Sequence, residues 1–148
     1  MEMKIFVLLA LILVPVAVIA EEQGIAGLTA HDIVDNRTIL DLSPRMKHRL
    51  LSNMREQLAA TRAIIGLLAQ EKFERASSSA RTKLGMTEDL EKVYESSKNE
   101  DFKKLGLAAS ASAYELAKTL QTKDLNKSLL ALRKSMGYCL ACHKKFRQ

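Results

Sequence analysis

The sequence predicts an all-α protein, an antiparallel four-helix bundle forming one domain, and three observations lead there. Four stretches repeat apolar residues at steps of three and four, the period of one helix face. The connections between them are short, which sets successive helices side by side and antiparallel. No stretch shows the two-residue alternation of a strand, and neither internal repeats nor low-complexity tracts occur. With 148 residues, 47% of them hydrophobic and 27% charged, the chain has material for one ordinary core.

Residues 1–20, "MEMKIFVLLALILVPVAVIA", pass from Lys4 through the apolar run Ile5–Ala20 to the small exit Val18-Ile19-Ala20, the pattern of a cleaved export signal. The run is short for a membrane anchor, which needs about 20 apolar residues, and Pro15 interrupts it. Cleavage removes Glu2 and Lys4 together, so the net charge stays at +6. No stable membrane insertion is expected afterwards. The basic excess could suit nucleic acid, anionic lipid or an acidic protein. Export disfavours nucleic acid, and aromatic residues at 5% leave little for base stacking. Most of these charges are the solvated surface of helices.

Residues 21–42 form an N-terminal arm with turn formers and no sustained period. The four-helix domain follows over 43–148. Ser43 caps a first helix of about 44–70 and Pro44 takes its first position, where a missing N–H costs nothing. Its stripe reads Lys47, Leu51, Met54, Leu58, Thr61, Ile65 and Leu68, widened by Leu50, Ile64 and Leu67. A short second helix carries Phe73, Ala76, Ala80 and Leu84 and stops at Gly85, expected in the left-handed region. Thr87 caps a helical connector with Leu90, Val93 and Tyr94 on its apolar face.

Asn99, followed by Glu100 and Asp101, opens the third helix, since a capping amide and two acids suit the positive end of the helix dipole. Its inner line is Phe102, Leu105, Ala109, Ser112 or Ala113, Leu116 and Leu120. The small-residue run "GLAASASA" admits a close neighbour, either another helix or a flat cofactor. The fourth helix starts near Asp124, with Leu125, Leu129, Leu132, Met136, Cys139, His143 and Phe146 as its stripe.

Both cysteines of the chain lie in "GYCLACHKKFRQ". On a helix, Cys139, Cys142 and His143 share one face. Two thiols one turn apart can add to the two vinyl groups of a haem, and the histidine beside them then falls beneath the iron. This reads as covalent attachment of one haem c, in the oxidising compartment that export implies. Three rivals are weaker. A redox dithiol would normally open a helix in a βαβ setting. A Cys139–Cys142 disulfide would restrain little. A zinc site needs four ligands, and the chain adds only His31 and His48, far apart in sequence.

The segment "CLACHKKFR" resembles the C-terminal signature of the cytochrome c′ family, Cys-x-x-Cys-His-x-x-aromatic-Arg, matched by Cys139, Cys142, His143, Phe146 and Arg147. The likeness runs over about 44–148, close at the C-terminus and loose elsewhere. It implies a four-helix bundle with covalently bound haem c, His143 as proximal ligand, and a distal position on the first helix that falls at about Met54. There a low-spin relative supplies a methionine, while the gas-binding members leave the site vacant. Met54 as plain core filler is the bland alternative. His48 lies about 120° from Met54 around the helix and reads as a surface residue, and His31 in the arm reads as uninvolved. Arg147 would pair with a haem propionate through its planar fork, or simply favour the helix C-terminus. Leu50, Leu51, Leu58, Leu105, Ala109 and Met136 would wall the haem.

The expected function is therefore one-electron transfer by an exported, soluble, periplasmic cytochrome with His143 and Met54 as axial ligands. The alternative is a five-coordinate form that binds nitric oxide or carbon monoxide. Redox proteins are the expected partners, and the resemblance implies possible homodimers through helices 1 and 2. No acid–base pair suggests an enzyme.

Overall fold

The computed structural model describes residues 35–148, so the export signal, most of the arm and His31 lie outside the described residues. From Asn36 to Gln148 the chain is one compact unit. Its order is a two-residue strand β1 (Thr38–Ile39), α1 (Pro44–Leu68), α2 (Phe73–Ser79), a π-helical turn (Ala80–Leu84), α3 (Glu88–Ser96), α4 (Glu100–Leu120), α5 (Leu125–Lys145) and a second two-residue strand β2 (Phe146–Arg147). The helices α1, α2 with its π turn, α4 and α5 make the bundle. The expected connector is the nine-residue α3.

α1, α3, α4 and α5 each begin where a capping side chain sits, and α2 alone starts without one, at Lys72. Ser43 accepts from the Met46 N–H at 3.4 Å, Thr87 from Leu90 at 3.2 Å, Asn99 from Phe102 at 3.0 Å and Asp124 from Lys127 at 2.9 Å, each satisfying a backbone donor that the helix leaves free. The end of α1 closes in a Schellman turn. The N–H of Lys72 reaches the Leu67 carbonyl at 2.9 Å, and Glu71 reaches Leu68 at 3.0 Å. The left-handed residue there is Glu71, with φ 55°. Gly85, expected in that conformation, has φ −69° and an extended backbone. It is glycine for space: a Cβ would stand 2.4 Å from the Arg81 carbonyl oxygen and 3.1 Å from the Tyr114 ring.

Two cores hold the bundle. Toward the end of α1 and the start of α5, Ile64, Leu68, Phe73, Ala76, Ala80, Leu116, Ala117, Leu120 and Leu132 form an aliphatic cluster. At the other end, Leu40, Leu42, Leu50, Leu90, Val93, Phe102 and Phe146 form a second, with Met46, Met54, Met86, Tyr94, Leu105 and Cys142 partly buried against it. A hydroxyl network ties the helices between them. Ser77 donates to the Ala117 carbonyl at 2.8 Å, and the Ser112 and Ser135 hydroxyls meet at 3.0 Å. The small run on α4 thus takes a helix as its neighbour at Ser112, where α5 comes close.

The inward line of α1 is displaced by one residue from the predicted stripe. Leu50, Asn53, Ala60, Ile64 and Leu68 are buried, whereas Leu51, Leu58 and Ile65 are exposed, Leu58 by 71%. Asn53 is tolerated inside because its amide donates to the Thr87 hydroxyl at 3.3 Å. On α5, Ser128, Leu132 and Ser135 are buried, while Leu125, Leu129 and Met136 are exposed. Leu50, Ile64 and Leu68 of the predicted α1 face and Leu132 of the α5 stripe do lie in the core, while the exposed members of the same stripes are flanks. The expectation of no strand is also corrected: β1 pairs parallel with β2, Thr38 opposite Phe146 and Ile39 opposite Arg147. Residues 36–42 belong to the compact unit because Leu40 and Leu42 are buried in the second core.

Candidate functional site

The last two turns of α5 carry Cys139, Cys142 and His143. Position 142 is one turn beyond 139, so the two thiols and the imidazole stand on one side of the helix. Cys139 and His143 are exposed and Cys142 is half-buried. Basic residues in the final turn, His143, Lys144 and Lys145, suit the negative end of the dipole. The helix stops at Phe146, whose extended backbone still donates its N–H to the Cys142 carbonyl.

Phe146 is buried and anchors this end through a chain of rings. It meets Phe102 of α4 edge-on at 5.7 Å between centroids, and Phe102 meets Tyr94 of α3 at 5.4 Å. Such edge-to-face pairs fix orientation as well as bury area. Lys145 reaches across to Asp101 of α4 at 2.7 Å. The Cys-x-x-Cys-His turn is therefore held to α4 and α3 from below by aromatic packing and from the rim by an ion pair.

Tyr94 is the site residue that sequence reasoning missed; it had counted only as part of a small apolar face. Burial first, then the nearby Cys142 and Cys139, push its hydroxyl up to about 12, so the phenol stays protonated beside the two sulfurs. Its ring lies against Gly106, where a Cβ would come within 2.2 Å of it. The close neighbour that the small run admits at this point is a tyrosine. Leu40 and Leu42 were missed as well. The signal for them was Leu40-Asp41-Leu42, one cycle of the two-residue alternation.

Burial raises both thiols above their ordinary range, with Cys139 adding to the rise at Cys142. A disulfide-exchange pair needs the opposite, a thiolate stabilised by its surroundings. Among the described residues, no three His, Cys, Asp or Glu side chains gather as a metal site. Met54 is half-buried and packs against the same core as Cys142, so α1 and α5 deliver a thioether and a thiol to one end of the bundle. His48 is exposed. Of the expected walls, Leu50 is buried, Leu105 and Ala109 are half-buried, and Leu51, Leu58 and Met136 are exposed. Arg147 lies in β2, outside the helix, and is half-buried beside Ile39.

These positions suit a flat apolar group. α5 packs along α4, and α1 along α2 and α3, whereas α1 and α5 share the two side-chain cores without a close approach of their backbones. Each of the two helices has an uncovered apolar flank. On α1 it is Leu51, Leu58 and Ile65, seven residues apart; on α5 it is Leu129 and Met136, with His143 the next at that spacing. Met54 and Cys139 lie beside those lines, toward the core.

A four-helix bundle that closes on a Cys-x-x-Cys-His turn has the build of a c-type cytochrome. The chain matches the family model described as Cytochrome C' over residues 46–147, and it belongs to the cytochrome c′ family. No curated protein and no solved structure matches it. Membership sets the protein among haem-binding bundles that transfer electrons or bind gases, and it implies haem c as the cofactor.

Proposed function

We propose that the protein is an exported one-electron carrier, with haem c bound through Cys139 and Cys142, His143 as proximal iron ligand and Met54 as distal ligand. The observation that carries this reading is the placement of Met54 and Cys142 against one core, on two helices whose apolar flanks lie open. Each thiol would hold the macrocycle by adding across one vinyl group, sulfur to one carbon and its hydrogen to the other. The bound group supplies an iron that cycles between two oxidation states. Leu51 and Leu58 from α1 and Met136 from α5 would cover the porphyrin and exclude water, which favours the less charged, reduced form. Arg147 would meet a propionate from its place in β2.

Filling both axial positions keeps the iron's surroundings nearly constant between oxidation states, which suits electron transfer and discourages gas binding. Export is supported by the Lys4 to Ala20 pattern, which also delivers the thiols to the compartment where covalent attachment takes place. Electron-transfer proteins would be its partners, and pairing of two copies through α1 and α2 belongs to the same reading. Among the described residues, no helix is long and apolar enough to cross a membrane.

The test is production in a host able to attach haem c, followed by intact-mass measurement and a visible spectrum. One added haem per chain, low-spin iron and a sulfur-to-iron charge-transfer band are expected, and Met54→Ala should convert the iron to high spin. Met54 also sits among Met46, Met86 and Leu50 as core filler would, which favours a second reading, a five-coordinate protein that binds nitric oxide or carbon monoxide. In that case Met54→Ala leaves the spectrum unchanged.

A further inference from the structure

The arm ahead of α1 reaches the one helix end that bears the motif. A helix leaves its last carbonyls without partners. In α5 the Cys142 carbonyl takes the Phe146 N–H. The next carbonyl, of His143, takes a hydrogen bond from the Arg37 guanidinium at 3.2 Å, donated from 106 residues upstream. Beside it β1 lies parallel to β2, and the Leu40 N–H donates to the Arg147 carbonyl at 2.9 Å. Leu40 and Leu42 then drop into the same core as Phe146, exposed by only 3% and 6%.

We infer that residues 36–42 are a positioning strap for His143, with Arg37 as its acting residue: a cation supplied from the arm that caps the carbonyl of the proposed iron ligand and fixes the turn from which the imidazole projects. The inference rests on the haem reading for its consequence at the iron, while the capping itself concerns the polypeptide alone. Three contributions combine in it. The guanidinium donates a charge-assisted bond, it lies at the negative end of the α5 dipole, and the buried leucines keep the arm from swinging away. A lysine at position 37 keeps the charge and one donor but loses the planar fork. Tyr94, Phe102 and Phe146 hold this turn from the bundle side, so the strap supplies the opposite restraint.

The experiment compares wild type, Arg37→Ala and Arg37→Lys by amide hydrogen exchange and, in the haem-loaded form, by midpoint potential. In Arg37→Ala the amides of the last turn of α5 should exchange about tenfold faster, as expected for one lost bond to a charged group. Amides in the middle of α4 should not change. The midpoint potential should fall, because a nearby positive charge favours the reduced iron. Arg37→Lys should restore the potential more fully than the exchange rates. Leu40→Ala should loosen the same amides without removing the charge. Unchanged exchange in the last turn of α5 in both Arg37→Ala and Leu40→Ala would overturn the strap, whether or not haem is bound. A wild-type chain that takes no haem while its Arg37→Ala variant exchanges faster would overturn the haem reading and leave the cap standing.

Discussion

The two ends of this bundle are built on different plans. At the closed end, Ile64, Leu116 and Leu120 are fully buried among alanines in an aliphatic cluster to which α1, α2, α4 and α5 all contribute. At the cysteine end the core is aromatic and its edge is soft, with three methionines, a tyrosine and a thiol only partly covered. The closed end is complete as polypeptide. The cysteine end has a filled floor of rings, and from it the uncovered flanks of α1 and α5 run, through Leu51 and Met136, to Ile65 and Leu129; a half-covered core beside open apolar flanks is what the proposed haem would use.

The sharpest way to break this comparison is truncation on each side of it. Leu116→Ala should cost about 2–5 kcal/mol with or without haem, since it leaves a cavity in a sealed core. Leu58→Ala, at an exposed position, should stay within about 0.5 kcal/mol of wild type in the haem-free chain and become costlier once haem is attached. Urea denaturation of both forms measures it. Equal costs in the two forms at Leu58 would mean that nothing covers that flank.

A second probe is Gly106→Ala, which drives a methyl into the Tyr94 ring. Overpacking of this kind costs about 1–3 kcal/mol, partly offset by the roughly 1 kcal/mol that alanine gains over glycine inside a helix. The double variant with Tyr94→Ala should recover part of the loss, a coupling that a thermodynamic cycle reads directly. Smaller again is Thr87→Ala, which removes the α3 cap and the partner of the half-hidden Asn53 amide. A loss of about 1 kcal/mol is expected, and the α3 amides should exchange first.

The smallest effect is at the rim. Hydrogen bonding and charge from Lys145 hold the Asp101 carboxyl below its ordinary value. Its contribution is therefore fully present above the unfolded carboxylate value and fades as pH falls through the lower folded one. Asp101→Asn should flatten the acid limb of stability between about pH 5 and pH 2, and added salt should shrink the difference, since both side chains face solvent.

Much of the architecture was legible in the sequence because helix boundaries are written locally. Ser43, Thr87, Asn99 and Asp124 cap where they were read to cap, and the Cys-x-x-Cys-His turn is visible without any fold. The core face was misjudged for an instructive reason. Leu51, Leu58 and Ile65, like Leu129 and Met136, are as periodic as a core line, and periodicity counts every apolar demand on a helix without saying what meets it. The buried lines include Asn53 and Ser135, which look like surface until their partners Thr87 and Ser112 on other elements are known, and Ser128, whose hydroxyl turns back to the Asp124 carbonyl. Tyr94 against Gly106, and Arg37 against His143, join residues far apart in the chain, and no local pattern records such a meeting.

The parallel pair of β1 with β2 has a consequence for how the molecule is made. Residues 38–39 are synthesised early, yet their partners at 146–147 exist only once almost the whole chain has been made. A polypeptide stopped before Phe146 could form every helix and would still leave β1 without its partner strand. Closing so long a loop adds only modestly to the entropy already lost, because that cost grows with the logarithm of length. The arm therefore locks last, and its locking registers that the segment bearing both sulfurs and the imidazole has arrived in full.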